Sequence, residues 1–240
     1  MQKFTPDGVL LTQWGSTGLE NGQFRNPTGI AIGGQGNVYV SESGNNRVQK
    51  FTPDGVWIAS WGEIGKVDGE FRSAMVIAID DDGKSYVSDW GNSRIQVFDS
   101  DGKFLDTWGE RGTDQGQLNS PTGLKFDANG NLWVVDRGNH RVQKFTSDGS
   151  PLTMWGSQGY DDGQFQVPTS IAFDKFGNFY VAEVEGSRVQ IFNSAGTFLS
   201  ELAPGTFSSP HGLAFDSLGN LYVGNTGSNS VVKFKPVSRP

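Results

Sequence analysis

The sequence predicts an all-β fold: a β-propeller built from four-stranded antiparallel blades. Three observations predict it, namely a motif that recurs along the whole chain, a composition suited to tight turns, and strands short enough to pair as hairpins. Gly accounts for 34 of the 240 residues, and only 19% of the residues are charged. Such a balance favours many short strands joined by tight turns over long helices.

The recurring motif is Gly-x-Phe/Leu-x-x-Pro, and its copies define the repeat. Residues 22–62 and 116–156 are identical at 20 of 41 positions. The first four copies are 47 residues apart and the last follows after 42; the second copy has Ala74 in place of the Pro. We therefore predict that residues 1–240 form a single domain, with repeats that start near positions 22, 69, 116, 163 and 205.

Each repeat contains four predicted strands. The first is short and apolar, as in residues 212–215. A turn of the type Asp-x-x-Gly-Asn, such as 127–131, leads to a second strand rich in β-branched and aromatic residues, 132–136. A short loop precedes the third strand, 141–145, and the fourth ends at Trp155. Links of hairpin length predict an antiparallel meander, which at this period is a propeller blade.

The two ends of the sequence predict how the propeller closes. Residues 1–8 match residues 48–55, so the chain begins at a third strand and continues through a fourth. The last repeat supplies a first, second and third strand. We expect residues 1–15 to complete the last blade, which gives five blades closed by pairing the N- and C-terminal strands. Both ends carry third-strand sequence, so a segment of a six-bladed or longer array remains the alternative.

The consensus Pro-x-Gly-[Ile/Leu]-x-[Phe/Ile]-Asp, followed by Gly-Asn-x-Tyr-Val and Gly-Asn-x-Arg-Val-Gln-x-Phe, resembles the NHL-repeat family. The resemblance implies a β-propeller, commonly with six blades. It does not imply one function, because members of the family resemble RNA-binding modules, kinase sensor domains and a metal-dependent lyase.

Charge and composition weigh against several classes of function. The net charge of −7 and the pI of about 4.8 oppose binding to nucleic acid, which depends on neutralising phosphates. No apolar run reaches the length of a membrane span. The chain has no Cys and only two His, so thiol chemistry and a three-His zinc site are excluded. The Asp-rich segments 80–83 and 99–102 lack the spacing of an EF-hand and fall on turns, so we predict no metal and no cofactor. The sequence leaves the cellular compartment open.

The candidate binding surface is the linker face, formed by the loops between second and third strands and by the links between repeats. Loops held by a rigid scaffold commonly carry binding residues. At these loop and entry positions the residues differ between repeats, and the chemically distinctive ones are the ligand-binding candidates Trp90, Arg137, His140, His211, Met75 and Asn46. Closure of the propeller is expected to bring Trp90 together with Arg137 and His140.

Two other recurring features are interpreted as structural. Four of the five repeats carry an acid at the end of the second strand and an Arg at the start of the third, and their repetition favours ion pairs: Glu42/Arg47, Asp89/Arg94, Asp136/Arg141 and Glu183/Arg188. The last repeat replaces both members, with Asn225 and Ser230. Trp residues that end the fourth strands are expected to pack between neighbouring blades, and these are Trp14, Trp61, Trp108 and Trp155.

The function predicted from these features is that of a monomeric binding scaffold, leaning away from catalysis. Its partner would be a protein, a peptide or a small polar ligand held on the linker face. A hydrolase or lyase with a carboxylate-lined channel is the alternative, and an RNA-binding module comes third because of the acidic charge.

Overall fold

The computed structural model describes residues 1–236, and its sheets follow the repeats of the sequence. Each of the five repeats forms one antiparallel sheet; four of these sheets have four strands and the last has three. This confirms the all-β class and the blades of a propeller fold. The chain divides into two compact units, Met1–Gly109 and a second that begins at Glu110. No helix within residues 1–236 is long and apolar enough to span a membrane.

The first unit contains an N-terminal hairpin and two four-stranded sheets. Its strands are β1 (Gln2–Phe4), β2 (Leu10–Gln13), β3 (Pro27–Ile32), β4 (Val38–Glu42), β5 (Arg47–Phe51), β6 (Trp57–Trp61), β7 (Ala74–Ile79), β8 (Ser85–Asp89), β9 (Arg94–Phe98) and β10 (Phe104–Trp108). Strands β3 to β6 form one sheet and β7 to β10 the other, each in the order of the sequence.

The second unit contains two four-stranded sheets, β11 to β14 and β15 to β18, and the three-stranded sheet β19 to β21. Its strands are β11 (Pro121–Phe126), β12 (Leu132–Asp136), β13 (Arg141–Phe145), β14 (Pro151–Trp155), β15 (Pro168–Phe173), β16 (Phe179–Glu183), β17 (Arg188–Phe192), β18 (Phe198–Glu201), β19 (Pro210–Phe215), β20 (Leu221–Asn225) and β21 (Ser230–Phe234).

The N-terminal strands and the last sheet each have their own pairing, and that residues 1–15 complete the last blade stays a prediction. Strands β1 and β2 form a two-stranded sheet of their own, and β19 to β21 form a separate sheet of three. Both ends carry third-strand sequence. β1 pairs with β2 in the register Gln2↔Gln13 and Lys3↔Thr12, and β21 pairs with β20, so each end keeps its own third strand.

Asp side chains stabilise the hairpin turns by accepting hydrogen bonds from backbone N–H groups of the same turn. In the turn after β11, the carboxylate of Asp127 accepts hydrogen bonds from the backbone N–H groups of Asn129 (2.9 Å) and Asn131 (3.0 Å). Gly130 takes the left-handed conformation, with φ of 76°, which L-residues with a Cβ adopt only at a cost. The Asp-rich segments behave alike, because Asp80 accepts from the N–H of Lys84 and Asp99 from that of Lys103. Backbone capping accounts for these acids.

The first strand of every sheet begins two residues earlier than the sequence indicated and contains a β-bulge. In β19 the register shifts between Pro210 and Gly212, which leaves His211 as the extra residue. The same shift follows the entry residue of β3, β7, β11 and β15. A bulge interrupts the ladder and re-aims the side chain that it contains. The residue after the entry Pro is therefore positioned differently from its neighbours in the strand.

The core lies between neighbouring sheets within each unit. In the second unit the rings of Trp133 and Trp155 stack at 4.6 Å, and Phe179 of the next sheet packs against both, at 4.8 and 5.8 Å. In the first unit Trp61 packs against Tyr39 and against Phe98 of the next sheet. These fourth-strand Trp residues therefore pack between sheets, as the sequence predicted.

Candidate ligand-binding site

Four of the six candidates, Asn46, Trp90, Arg137 and His140, lie in short turns between second and third strands. Trp90 and Arg137 each begin a single turn of 3-10 helix, Trp90–Asn92 and Arg137–Asn139. The residue that ends each turn has positive φ, 53° for both Asn46 and His140. Each of these turns is anchored by backbone hydrogen bonds to the segment before its first strand, such as Gly138 N–H to Asn119 carbonyl at 2.8 Å. The side chains are therefore presented by rigid backbone.

Asn46 and His140 each contact the neighbouring sheet. The Oδ1 of Asn46 accepts a hydrogen bond from the backbone N–H of Ser73 at 2.8 Å. The Nδ1 of His140 lies 3.5 Å from the backbone N of Val167, in the equivalent place of the second unit. Both side chains thus cap the start of the next first strand. This contact gives them a structural role, and their contact with a ligand stays a prediction.

Trp90 and Met75 are both half-buried in the first unit. The indole Nε1 of Trp90 is buried and has no hydrogen-bond partner among residues 1–236. Met75 is in the bulge of β7, where its backbone carbonyl accepts from the hydroxyl of Ser41 at 2.7 Å. The proximity of Trp90 to Arg137 and His140, which lie in the second unit, also stays a prediction.

Arg137 has a donor on the linker face that the described residues leave unpaired. Its side chain is half-buried, and its Nε is shielded from solvent without a hydrogen-bond partner among the described residues. A buried donor without a partner costs on the order of 1–3 kcal/mol, and more when it is charged. The neighbouring Arg141 differs, because its guanidinium donates to four protein oxygens. Arg137 therefore has hydrogen-bonding capacity that the described protein does not use.

His211 is near enough to Arg137 for the charge of the guanidinium to act on its imidazole, although one sheet, β15 to β18, lies between them in the sequence. Its backbone carbonyl accepts a hydrogen bond of 3.1 Å from the hydroxyl of Thr169, which fixes the bulge of β19 against β15. Desolvation by the surrounding protein, and then the positive charge of Arg137, lower the pKa of His211 below its usual value. A cation of the first sheet and a titratable imidazole of the last sheet of the second unit thus interact electrostatically.

The four predicted acid–Arg pairs are present, and all of the acids are fully buried. The Arg Nε lies 2.7 to 2.9 Å from a carboxylate oxygen in each pair, and the pairs are Arg47–Glu42, Arg94–Asp89, Arg141–Asp136 and Arg188–Glu183. Each Arg also donates to carbonyls of the link before its own sheet. Arg47, for instance, donates to Leu19 (2.8 Å), Glu20 (2.9 Å) and Gln23 (2.8 Å).

The sequence did not indicate the other members of this carboxylate network. In the third repeat, Asp136 also accepts from the amides of Asn139 (2.8 Å) and Gln143 (3.1 Å) and from the backbone N–H of Asn119 (2.7 Å). The recurring Asn-x-Arg-x-Gln spacing was the available signal. The network fastens both kinds of loop on the linker face to the sheet, which makes that face a preorganised surface.

The last repeat lacks the network because it lacks the carbonyls that an Arg would bind. The link from Leu202 to Gly205 is shorter than the link from Trp155 to Gly163. The segment whose carbonyls accept hydrogen bonds from Arg188 therefore has no counterpart before the last sheet. Asn225 replaces the acid, and its Oδ1 accepts from the N–H of Ser208 at 2.7 Å. The joint loss of acid and Arg follows from the shorter link.

Among the described residues, no group of three or more His, Cys, Asp or Glu side chains is arranged to hold a metal ion. The NHL-repeat family model matches three stretches of the chain, at residues 24–51, 118–145 and 207–234. No curated protein matches the chain in sequence.

Several solved structures share the fold at low sequence identity. Virginiamycin B lyase from Staphylococcus aureus, crystallised with quinupristin, superposes with a TM-score of 0.65 at 18% identity, over 89% of this chain and 71% of the lyase chain. A chain of a nidogen/laminin complex gives a TM-score of 0.66 at 19% identity, over 87% and 75% of the two chains. A gluconolactonase from Xanthomonas campestris gives 0.60 at 16% identity, over 81% and 67%. These neighbours differ in function, so the likeness shows the fold alone. The chain therefore contains NHL repeats, at the three stretches that the family model matches, and has the β-propeller fold.

Proposed function

We propose that this NHL-repeat chain is a binding module that holds an anionic group of a small polar ligand or a peptide with Arg137 and His211. The observation that carries the proposal is the shielded Nε of Arg137, which has no protein partner within residues 1–236 and lies close to the imidazole of His211. A carboxylate or phosphate oxygen would accept from that N–H in a charge-assisted hydrogen bond.

The charge of the whole chain limits what the ligand can be. With a net charge of −7, the long-range field opposes a polyanion, so extended nucleic acid is disfavoured. One guanidinium and one imidazole can balance a single anionic group at short range. We therefore favour a ligand with one carboxylate or one phosphate on an otherwise neutral body.

Rigidity supports recognition at this place. Arg137 follows Asp136, whose carboxylate accepts four hydrogen bonds, and His211 is in a bulge whose carbonyl is bound by Thr169. A site that is already ordered loses little conformational freedom when a ligand binds. The backbone on both sides of the proposed site is held by the fold before any ligand arrives.

A thermal-shift screen tests the proposal. The probes are monocarboxylates, sugar acids, inorganic phosphate and a short peptide with a free carboxyl terminus. We expect at least one probe to raise the melting temperature of the wild type and not that of Arg137→Gln. Arg111→Gln is the matched control, because Arg111 is an exposed Arg in a link of the same unit.

Two outcomes would argue against the proposal. An equal rise in melting temperature for Arg137→Gln and the wild type would show that Arg137 does not hold the probe. Turnover of a lactone probe by the wild type, with divalent metal added, would support the alternative of a hydrolase, a class to which one structural neighbour belongs.

A further inference from the structure

One acceptor of the Arg141 guanidinium is a sulfur atom. A guanidinium has five N–H donors, and four of those of Arg141 bind the carboxylate of Asp136 and three carbonyls of the link before its sheet. The fifth acceptor is the Sδ of Met154, which lies 3.2 Å from Nη1. A thioether is a weak acceptor, so this donor has the poorest partner of the five.

Met154 is open to solvent, whereas the groups behind it are buried. The side chain of Arg141 is 8% exposed, and Asp136 is fully buried. Met154 is 45% exposed and lies in β14, the edge strand of its sheet. A small oxidant can therefore reach the sulfur atom while the buried ion pair stays closed.

The fold accepts an oxygen at this position in other repeats. Met154 pairs with Gln143 across β13 and β14. The residues that pair with the corresponding Gln of the other four-stranded sheets all carry oxygen in their side chains, and they are Ser60, Thr107 and Glu201. Oxidation of Met154 would add an oxygen where these three repeats already have one.

The other two methionines of the chain have different surroundings. Met75 is half-buried in the bulge of β7, and Met1 is half-buried against the cluster that contains Phe51. Oxidation turns an apolar methionine into a polar sulfoxide, which disrupts packing where the side chain is buried. At Met154 the new oxygen would instead meet a cation.

We propose that Met154 is an oxidation site for hydrogen peroxide and that Arg141 holds the product. A lone pair of the sulfur attacks one oxygen of the peroxide, and the S–O bond forms as the O–O bond breaks. The other oxygen leaves as water after it takes the proton of the transferred oxygen. The sulfur loses two electrons and the peroxide gains them. The sulfoxide oxygen carries partial negative charge, so it accepts a stronger hydrogen bond from Nη1 than the thioether does.

Oxidation at this site would stabilise the linker face of the third repeat. The same guanidinium donates to the carbonyls of Thr113, Asp114 and Gln117. A better acceptor at Met154 holds the guanidinium more firmly, so the link 110–118 should open less often. This effect is opposite to the loss of structure that oxidation of a packed methionine causes. The proposal does not depend on the ligand site.

Melting of the protein before and after peroxide treatment tests the proposal. Limiting peroxide should oxidise Met154 ahead of Met75, as measured by peptide mass spectrometry, and raise the melting temperature by roughly 2–4 °C. The double variant Leu152→Met with Met154→Leu is the matched control. It moves the methionine to a position in β14 that is 46% exposed and has no hydrogen bond to Arg141 in the described structure. Oxidation of this variant should not raise its melting temperature.

Hydrogen exchange gives a second readout on the wild type. The amide N–H groups of Gly112, Gln117 and Leu118 donate within the link of the third repeat and should exchange more slowly after oxidation. The link of the fourth repeat, 157–165, is the internal control, because Glu201 takes the place of Met154 there. The proposal is overturned if Met154 resists peroxide in the folded protein, if oxidation fails to raise the melting temperature, or if exchange in the link 110–118 does not slow.

Discussion

Arg141 donates from Nε to the Oδ2 of Asp136 over 2.7 Å, and the same guanidinium donates to three carbonyls of the link before its sheet. One residue therefore fastens the end of β12, the start of β13 and a loop about 24 to 28 positions earlier in the chain. The ion pair that the sequence indicates is one part of a larger hydrogen-bond network that orders the linker face.

The first prediction concerns the removal of Arg141. In Arg141→Ala the carboxylate of Asp136 stays fully buried without its cation, which costs on the order of 3–5 kcal/mol in comparable cases. We expect the free energy of unfolding, measured by urea titration, to fall by an amount of that order. Arg111→Ala, at an exposed position, should change it by no more than about 0.5 kcal/mol.

A double variant tests whether Asp136 and Arg141 act as a pair. Asp136→Asn with Arg141→Ser copies the last repeat, removes both charges and should lose less than the sum of the two single losses. Recovery should be partial, because the long link of the third repeat still loses the donors to its carbonyls. Single losses that simply add would show that the two residues are not coupled.

The second prediction compares two glycines in matching turns. Gly8 and Gly55 both follow Thr-Pro-Asp, with φ of 82° and 86°, so Ala costs backbone strain of roughly 1–2 kcal/mol at either position. A Cβ on Gly55 would also lie 2.5 Å from the ring of Trp14, whereas one on Gly8 would meet nothing within 4 Å. We expect Gly55→Ala to lower the melting temperature more than Gly8→Ala. Equal shifts would show that Trp14 yields without cost.

The third prediction is a pH dependence of stability that comes from Asp127. Burial acts to raise the pKa of this carboxyl, but hydrogen bonds from Trp133, Lys144 and two backbone N–H groups outweigh it and lower the pKa to about 2. A lowered pKa stabilises the fold above the unfolded value of 3.8, and this contribution is lost as the pH falls from there towards about 2.

Asp127→Asn should therefore destabilise the protein near neutral pH by on the order of 1–2 kcal/mol, and by less at a pH of about 3. Urea unfolding of the variant and the wild type at both pH values measures the difference. A difference that does not change with pH would mean that the charge of Asp127 contributes nothing to stability.

The fourth prediction concerns His211 and the affinity for an anionic probe. Desolvation and the charge of Arg137 hold the pKa of His211 below its usual value, so the imidazole is mostly neutral at pH 7. An anion favours the imidazolium, so binding should tighten as the pH falls through and below about 6.5. Titration calorimetry across that range measures the trend. His211→Gln should bind with no such trend, and an unchanged trend in this variant would place the titrating group elsewhere.

The sequence predicted the repeated features of this molecule better than the features that occur once. The pair of Asp136 with Arg141 and the packing of Trp155 were predictable because each recurs in fixed register. The hydrogen bonds from Arg141 to the link were not predictable, because every residue has a backbone carbonyl and the sequence does not show which ones accept. Pairing of the two ends stays a prediction, because β1 and β21 carry the same third-strand pattern, which does not say which strand each one meets.

The candidate site likewise combines residues that the sequence indicated with contacts that only the structure shows. The sequence singled out Arg137 and His211 because their positions vary between repeats, and Asn46 and His140 were chosen on the same ground. Only the hydrogen bond from Ser73 to Asn46 and the approach of Val167 to His140 separate the second pair, which caps a neighbouring strand. The bulge that re-aims His211 could not be predicted, since a shift of register depends on the paired strand.

A double-mutant cycle on ligand affinity tests whether Arg137 and His211 hold the same anionic group. Calorimetry at pH 6 would measure the affinity of the wild type, Arg137→Gln, His211→Gln and the double variant for the best anionic probe of the thermal-shift screen. If both side chains hold the same anionic group, each single variant should weaken binding, and the two losses should differ from additivity by on the order of 0.5–3 kcal/mol. Additive losses, or an affinity that neither substitution changes, would contradict a shared site at Arg137 and His211.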